Sequence, residues 1–248
     1  SKYSNTYFQF GVVVYYDLIV SQNSQTGYKY YPKFMDLTDS FEDIQEFLDN
    51  IELKGVKTFP NGYYYSNDLA SGYNAVLDRI RWDKNSEKVV IHLCDSPAHG
   101  KYFTIDPEFR YMMKIPQFNQ NLTFLDNKKL YEDIQIKRNN WLAYNIIRLA
   151  REKIQLYCLN CREINLYCFN KIIEKYQSFN GRKFLVKNIL ESSQSKFKNL
   201  DEQLKQFFCN IVDSFYNKSI ANEFESDCKS QFENDYKNIV SPKYIYLK

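Results

Sequence analysis

Glycine and proline are scarce in this sequence, with 7 and 6 of 248 residues. That scarcity excludes collagen-like and loop-dominated low-complexity chains. No apolar run approaches the roughly 18 residues that a membrane-spanning helix needs, so the sequence predicts no membrane insertion. The glycine-rich phosphate-binding patterns and the G-x-S-x-G motif are also missing, which argues against those nucleotide-binding and hydrolase classes.

Methionine is rare as well, with 3 residues, and the first is Met35. The chain begins with Ser1 and shows no secretory leader there. The late first methionine predicts that the sequence is a fragment or a processed chain.

The overall composition is typical of a folded globular protein, with 44% hydrophobic and 25% charged residues. A formal net charge of +3 gives no electrostatic signature of a nucleic-acid-binding protein. Most of the six cysteines lie inside apolar runs, which is typical of buried thiols in a reducing compartment. We therefore expect a cytoplasmic location and a core that needs no disulfides.

Apolar strand-like runs alternate with segments of helical periodicity. The predicted strands are residues 8–17, 29–37, 88–95, 154–160 and 183–189, the first two forming a hairpin. The predicted helices are residues 41–51, 67–82, 164–179, 200–216 and 221–239, with one or two helices over residues 130–151. This alternation predicts an α/β fold with a doubly wound, mostly parallel sheet over residues 1–190. Residues 191–248 are predicted to form a helical C-terminal extension.

One strand and the loop after it carry a family resemblance. Residues 89–100 read Val-Val-Ile-His-Leu-Cys-Asp-Ser-Pro-Ala-His-Gly. This run resembles the central strand and following loop of von Willebrand factor A (vWA) domains, in the variety that accompanies alpha-type kinases in protists. Four further segments resemble segments of the family and occur in the same order along the chain, so that the resemblance covers about residues 7–190. They are residues 11–17, 41–51, 68–72 and 152–175.

The resemblance implies a Rossmann-like vWA sheet whose first strand lies upstream of Ser1, because residues 8–17 match the second strand of the family. In the other interpretation residues 8–17 are the first strand, and Asp17-x-x-x-Ser21 is a decayed metal site. The hairpin that follows favours the upstream interpretation.

The resemblance implies a divalent ion, usually Mg²⁺, which vWA domains bind through three loops at the top of the sheet. Here Asp95 matches the third ligand element and Thr58 loosely matches the second, while the Asp-x-Ser-x-Ser element is missing. The metal-ligand candidates are therefore Asp95, Thr58 and Asp17, in a degenerate metal-ion-dependent adhesion site (MIDAS). We expect no bound cofactor unless an upstream strand supplies further oxygen ligands for Mg²⁺. The alternative role for Asp95 is to accept hydrogen bonds from loop amides.

The remaining reactive side chains lack the partners that catalysis needs. His92 lies in a strand and is predicted to be buried and bonded to a neighbour. Cys158-x-x-Cys161 is a lone pair without the second pair of a structural zinc site, and its first cysteine falls inside a buried strand. We therefore predict no catalytic residues.

These observations favour a non-catalytic protein–protein interaction or scaffolding module, with protein partners and no nucleic acid. Two aromatic loops, residues 58–66 and 96–111, suit a binding face. The contact candidates are Tyr63, Tyr64, Ser96, His99, Tyr102 and Phe103. The alternative is the regulatory region of an alpha-type kinase whose catalytic domain lies outside this chain. A third hypothesis is a metal-free component of a large cytoskeletal or ciliary assembly.

Overall fold

A computed structural model describes residues 7–15, 32–51, 68–94, 96–98, 102–103, 124–161, 165–188 and 200–239. The chain divides into two compact units. The first unit comprises residues 1–87, 98–101 and 106–148, and the second, here called the sheet unit, comprises residues 88–97, 102–105 and 149–248. Among the described helices, none has both the length and the apolar character to cross a membrane.

The first unit contains the predicted hairpin. Strands β1 (Phe10–Val14) and β2 (Lys33–Thr38) pair in antiparallel fashion, as expected. Helix α1 (Phe41–Asp49) follows, and the hydroxyl oxygen of Ser40 accepts a hydrogen bond from the amide of Asp43 at 3.1 Å. This side-chain cap satisfies one of the amides that the first helical turn leaves unpaired.

Helix α2 (Leu69–Asp78) is the most deeply buried element of the first unit. Its N-cap Asp68 is buried and accepts hydrogen bonds from the amide of Ser71 at 3.3 Å and from Arg138 at 3.0 Å. Arg138 belongs to helix α3 (Phe124–Arg151). The buried carboxylate is thus matched by a cation, which offsets the cost of taking it out of water.

The sheet unit is built on three parallel strands in the order β3 (Val89–Cys94), β4 (Gln155–Asn160), β5 (Phe184–Asn188). All six residues of the central strand β4 are buried, because it has a strand on either side and helices on both faces. The prediction of an α/β fold with a parallel sheet is confirmed, but among the described residues β1 and β2 form a two-stranded sheet of their own instead of joining it.

Two helices end in the same way before a sheet strand begins. At the end of α3, the amide of Ile154 donates to the carbonyl of Leu149 at 3.1 Å, and Lys153 has a positive φ of 58°. At the end of α4 (Asn165–Gln177), the amide of Gly181 donates to the carbonyl of Tyr176 at 3.2 Å, and Asn180 has φ 57°. This Schellman arrangement satisfies the last carbonyls of each helix and turns the chain back into the sheet.

Helices cover both faces of the sheet. On one face the ring of Phe169 in α4 meets His92 edge-on at 5.9 Å between ring centroids. The other face packs against α5 (Leu200–Ser214) and α6 (Lys218–Ile239). The buried residues of that second layer are Tyr157, Leu159, Leu185, Phe207, Ile211, Phe224 and Cys228.

Several helix and strand bounds differ from the prediction. Helix α3 starts at Phe124, six residues before the predicted start at Leu130, because that stretch contains neither glycine nor proline to stop a helix. Helix α6 starts three residues earlier than predicted, at Lys218. Although the boundary at residue 190 stays a prediction, the helices beyond it pack in the core of the sheet unit.

Candidate site at the carboxyl end of the parallel sheet

Most of the predicted site residues lie outside the described part of the chain. They are Asp17, Thr58, Tyr63, Tyr64, Asp95 and His99. Among the described residues, no three His, Cys, Asp or Glu side chains come close enough together to hold a metal ion. The Mg²⁺ site therefore stays a prediction. The described candidates are Ser96, Tyr102 and Phe103.

Ser96 lies just beyond the carboxyl end of β3, where the chain leaves the sheet. The thiol of Cys94 donates to the carbonyl of Ser96 at 2.9 Å. The amide of Cys161 donates to the carbonyl of Cys94 at 3.0 Å, which joins the ends of β3 and β4. These bonds fix the start of the loop that carries the predicted contact residues.

A buried row of amides runs along the same edge of the sheet, and we call it the asparagine network. The Nδ2 of Asn165 donates to the Oδ1 of Asn160 at 3.0 Å and to the carbonyl of Cys94 at 3.3 Å. Asn160 donates to the Oδ1 of Asn188 at 2.9 Å, and Asn188 donates to the carboxylate of Asp235 in α6. The network ends at the carbonyl of Cys94 and at the carboxylate of Asp235, which can only accept hydrogen bonds. These two ends therefore determine which atom of each amide between them is the nitrogen and which is the oxygen.

The asparagine network ties the strands to the helices on either side of the sheet. Asn165 is the first residue of α4, and the side chain of Gln231 in α6 donates to the carbonyl of Asn188 at 3.1 Å. The Oδ1 of Asn165 is buried and has no hydrogen-bond partner among the described residues. The sequence pattern indicates carboxylates after apolar strands as the candidate ligands, whereas Asn160 and Asn188 occupy the same position at the ends of β4 and β5 and form this network instead.

Removing one amide from the network should cost stability. We expect Asn160→Ala to lower the free energy of unfolding by about 2 kcal/mol, because a donor of Asn165 and an acceptor of Asn188 lose partners in a buried place. Gln206→Ala, which removes an exposed amide bonded to Asn210, should change it by less than about 0.5 kcal/mol. Urea denaturation of the two variants checks this, and equal losses would contradict the role of the network.

The neighbouring aromatics Tyr102 and Phe103 have different environments. Phe103 is 0% exposed, whereas Tyr102 is 47% exposed. Their rings meet edge-on, with centroids 5.0 Å apart. Phe103 therefore anchors the loop in the core, and Tyr102 is the one of the two whose ring a partner can reach.

Tyr102 belongs to a patch that we call the tyrosine–lysine surface, formed with Tyr167, Lys171, Glu174 and Tyr236. The ammonium of Lys171 lies 5.7 Å from the ring centroids of both Tyr102 and Tyr167. It also donates to Glu174 at 2.8 Å, and this hydrogen bond raises the pKa of Lys171. Asn170 donates to the hydroxyl of Tyr236 at 3.4 Å, which links α4 to α6. The patch combines aromatic rings with a fixed positive charge.

His92 and Cys228 are buried within the sheet unit and do not belong to the exposed tyrosine–lysine surface. Burial lowers the pKa of His92 to about 4, so its ring is neutral at pH 7. Its Nδ1 lies 3.7 Å from the Sγ of Cys158, which confirms the prediction of a buried histidine bonded to a neighbour. None of the six cysteines forms a disulfide, and burial raises the pKa of Cys228 to about 11.

Comparisons with known proteins add no further information about the site. No protein-family model, no curated protein and no solved structure matches this chain. The resemblance to vWA domains therefore rests on the sequence blocks named above.

Proposed function

We propose that this chain is a non-catalytic protein-interaction module of vWA type, which binds a protein partner through the tyrosine–lysine surface. The observation that carries the proposal is the contrast between Tyr102 and Phe103. The ring of Phe103 is buried in the core, whereas the ring of Tyr102 is half exposed and lies beside Lys171. The buried ring of Phe103 holds the adjacent backbone, so that the ring of Tyr102 is presented beside Lys171.

The composition of the surface supports a protein partner. Tyrosine is enriched in the centres of protein interfaces, where it contributes a large contact area and a hydroxyl at a low cost in side-chain entropy. Lys171 is already oriented by Glu174 and by two tyrosine rings. Binding of a partner therefore costs little of the side-chain entropy of Lys171. An acidic or carbonyl-rich group of the partner would complement its charge.

The position of the surface also supports the proposal. The loop that carries Tyr102 follows β3, and α4, which carries Lys171 about two turns further on, begins at the same edge of the sheet. Parallel α/β sheets generally bind their ligands where the strands end. The asparagine network and helix α6 hold that edge in place. The six cysteines form no disulfide, which supports the cytoplasmic location that goes with the proposal. Mg²⁺ at Asp95 is not needed for this mode of binding.

Site-directed photo-cross-linking tests the proposal. A benzophenone amino acid placed at position 102 should capture one defined polypeptide in cells that express the protein. The control position is Tyr216, which is 46% exposed on the segment between α5 and α6. Capture of the same polypeptides from both positions, or no capture from position 102, would contradict the proposal.

A further inference from the structure

The first unit carries a group of exposed apolar side chains on β1, on the residues just before it and on α1, which we call the aromatic surface. It consists of Tyr7, Phe8, Phe10, Phe41 and Leu48. The rings are in contact, with centroids 6.4 Å apart for Phe8 and Phe10 and 5.9 Å apart for Phe10 and Phe41. Phe41 is 71% exposed. Contiguous exposed apolar groups of this kind mark interaction sites more often than isolated ones do.

Helix α1 contributes the apolar stripe of this surface. Phe41 and Leu48 lie on the same side of the helix, about two turns apart. None of its nine residues is buried. A helix this short is marginal by itself, so its conformation depends on the Ser40 cap and on contacts with the hairpin. Covering its apolar side would stabilise it further.

The charge around the aromatic surface differs from that of the whole protein. Described residues 7–15 and 32–51 contain six acids and one base, and Arg79 and Arg81 contact Phe34 and Asp36 of this segment, giving 3 − 6 = −3, although the chain carries +3. The acids are Asp36, Asp39, Glu42, Asp43, Glu46 and Asp49, and the base is Lys33. Asp36 is paired with Arg81, and Asp39 accepts a hydrogen bond from Tyr7 at 2.8 Å. The four acids of α1 have no basic residue within the helix.

We propose that the aromatic surface binds a basic amphipathic helix of a partner protein. Apolar side chains of that helix would lie on Phe41 and Leu48, and its lysines or arginines would meet the acids of α1. The local negative charge repels nucleic acid and anionic membranes, which leaves a basic polypeptide as the complementary class. This inference is independent of the proposed function, because it concerns residues of the first unit.

A synthetic helix provides the probe. The peptide carries leucines at positions i, i+4, i+7 and i+11 and lysines on the remaining sides, and its control carries glutamates in place of the lysines. Fluorescence anisotropy measures the binding of each labelled peptide to the full chain. We expect the lysine peptide to bind and the glutamate peptide not to bind. Equal binding of both would overturn the proposal.

Two variants locate the bound peptide. Phe41→Ser should lower the affinity for the lysine peptide by about tenfold or more. Phe208→Ser, which alters an exposed phenylalanine of α5, should leave this affinity unchanged. Circular dichroism verifies folding, and Leu48→Ser replaces Phe41→Ser if that variant fails to fold. An unchanged affinity in a folded Phe41 or Leu48 variant would overturn the proposal.

Charge neutralisation and self-association give two further readouts. The double variant Glu42→Gln with Asp49→Asn should weaken binding and reduce its salt dependence, while Glu233→Gln in α6 should do neither. Analytical ultracentrifugation should show that the wild type is not a dimer held together by the aromatic surface. A dimer of the wild type that the Phe41→Ser variant no longer forms is the contrary result. Such a dimer would mean that a second copy of the chain, rather than a basic helix, covers the surface.

Discussion

Replacing Phe207 by alanine should lower the free energy of unfolding of the sheet unit by about 3–5 kcal/mol, the usual cost of truncating a buried phenylalanine. Phe207 is 3% exposed. Its ring lies 6.5 Å from that of Tyr157 on β4 and 5.7 Å from that of Phe224 on α6, measured between centroids. It therefore joins the sheet to both C-terminal helices. The cavity left by alanine would remove contacts on all three elements.

The adjacent residue provides a matched control. Phe208 is 41% exposed, so Phe208→Ala should change the free energy of unfolding by less than about 1 kcal/mol. Urea denaturation followed by far-ultraviolet circular dichroism compares the two. Similar effects of both variants would contradict the packing of α5 on the sheet. A large effect of Phe207→Ala alone would support a single core that includes α5 and α6.

The second large effect concerns pH and comes from His92. Burial lowers the pKa of its ring from 6.5 to about 4. Between these two values the unfolded chain binds a proton at this site and the folded chain does not, so stability falls as the pH falls. A difference of 2.5 pKa units corresponds to a loss of about 3 kcal/mol between pH 7 and pH 4.

The variant His92→Gln isolates this contribution. Carboxylates with lowered pKa, such as those of Glu225 and Asp36, also reduce stability on acidification, below their ordinary values of 4.5 and 3.8. They are present in both proteins, so the difference between the two pH profiles reports on His92 alone. The profile of His92→Gln should be flatter between pH 6.5 and pH 4. Parallel profiles would show that His92 is not buried in its neutral form.

The parallel sheet could be predicted from the sequence because its strands are short apolar runs separated by helical periodicity. The run from Gln155 to Asn160 is buried on both faces, and a continuous apolar run is the pattern that such a strand requires. The turns between helices and strands could not be predicted in the same detail. Lys153 and Asn180 adopt a left-handed conformation that is unusual for lysine and depends on the surrounding packing.

The candidate site was harder to predict than the fold. Tyr102 and Phe103 are adjacent aromatics, and nothing in their order shows that one is exposed and the other buried. The asparagine network depends on residues far apart in the chain, such as Asn160 and Asn188 or Asn188 and Asp235, which become neighbours only through the parallel order of the strands and the return of α6. Local periodicity carries no signal for such contacts.

The cross-linking yield from position 102 is the most direct test of the proposed binding surface. Reversing the neighbouring charge by Lys171→Glu should reduce the capture of the partner by about tenfold or more, since the ammonium that complements the partner is lost. The distant exposed lysine variant Lys229→Glu should leave the yield unchanged. If Lys171→Glu captured the partner as well as the unmodified chain did, the tyrosine–lysine surface would not be the site of binding.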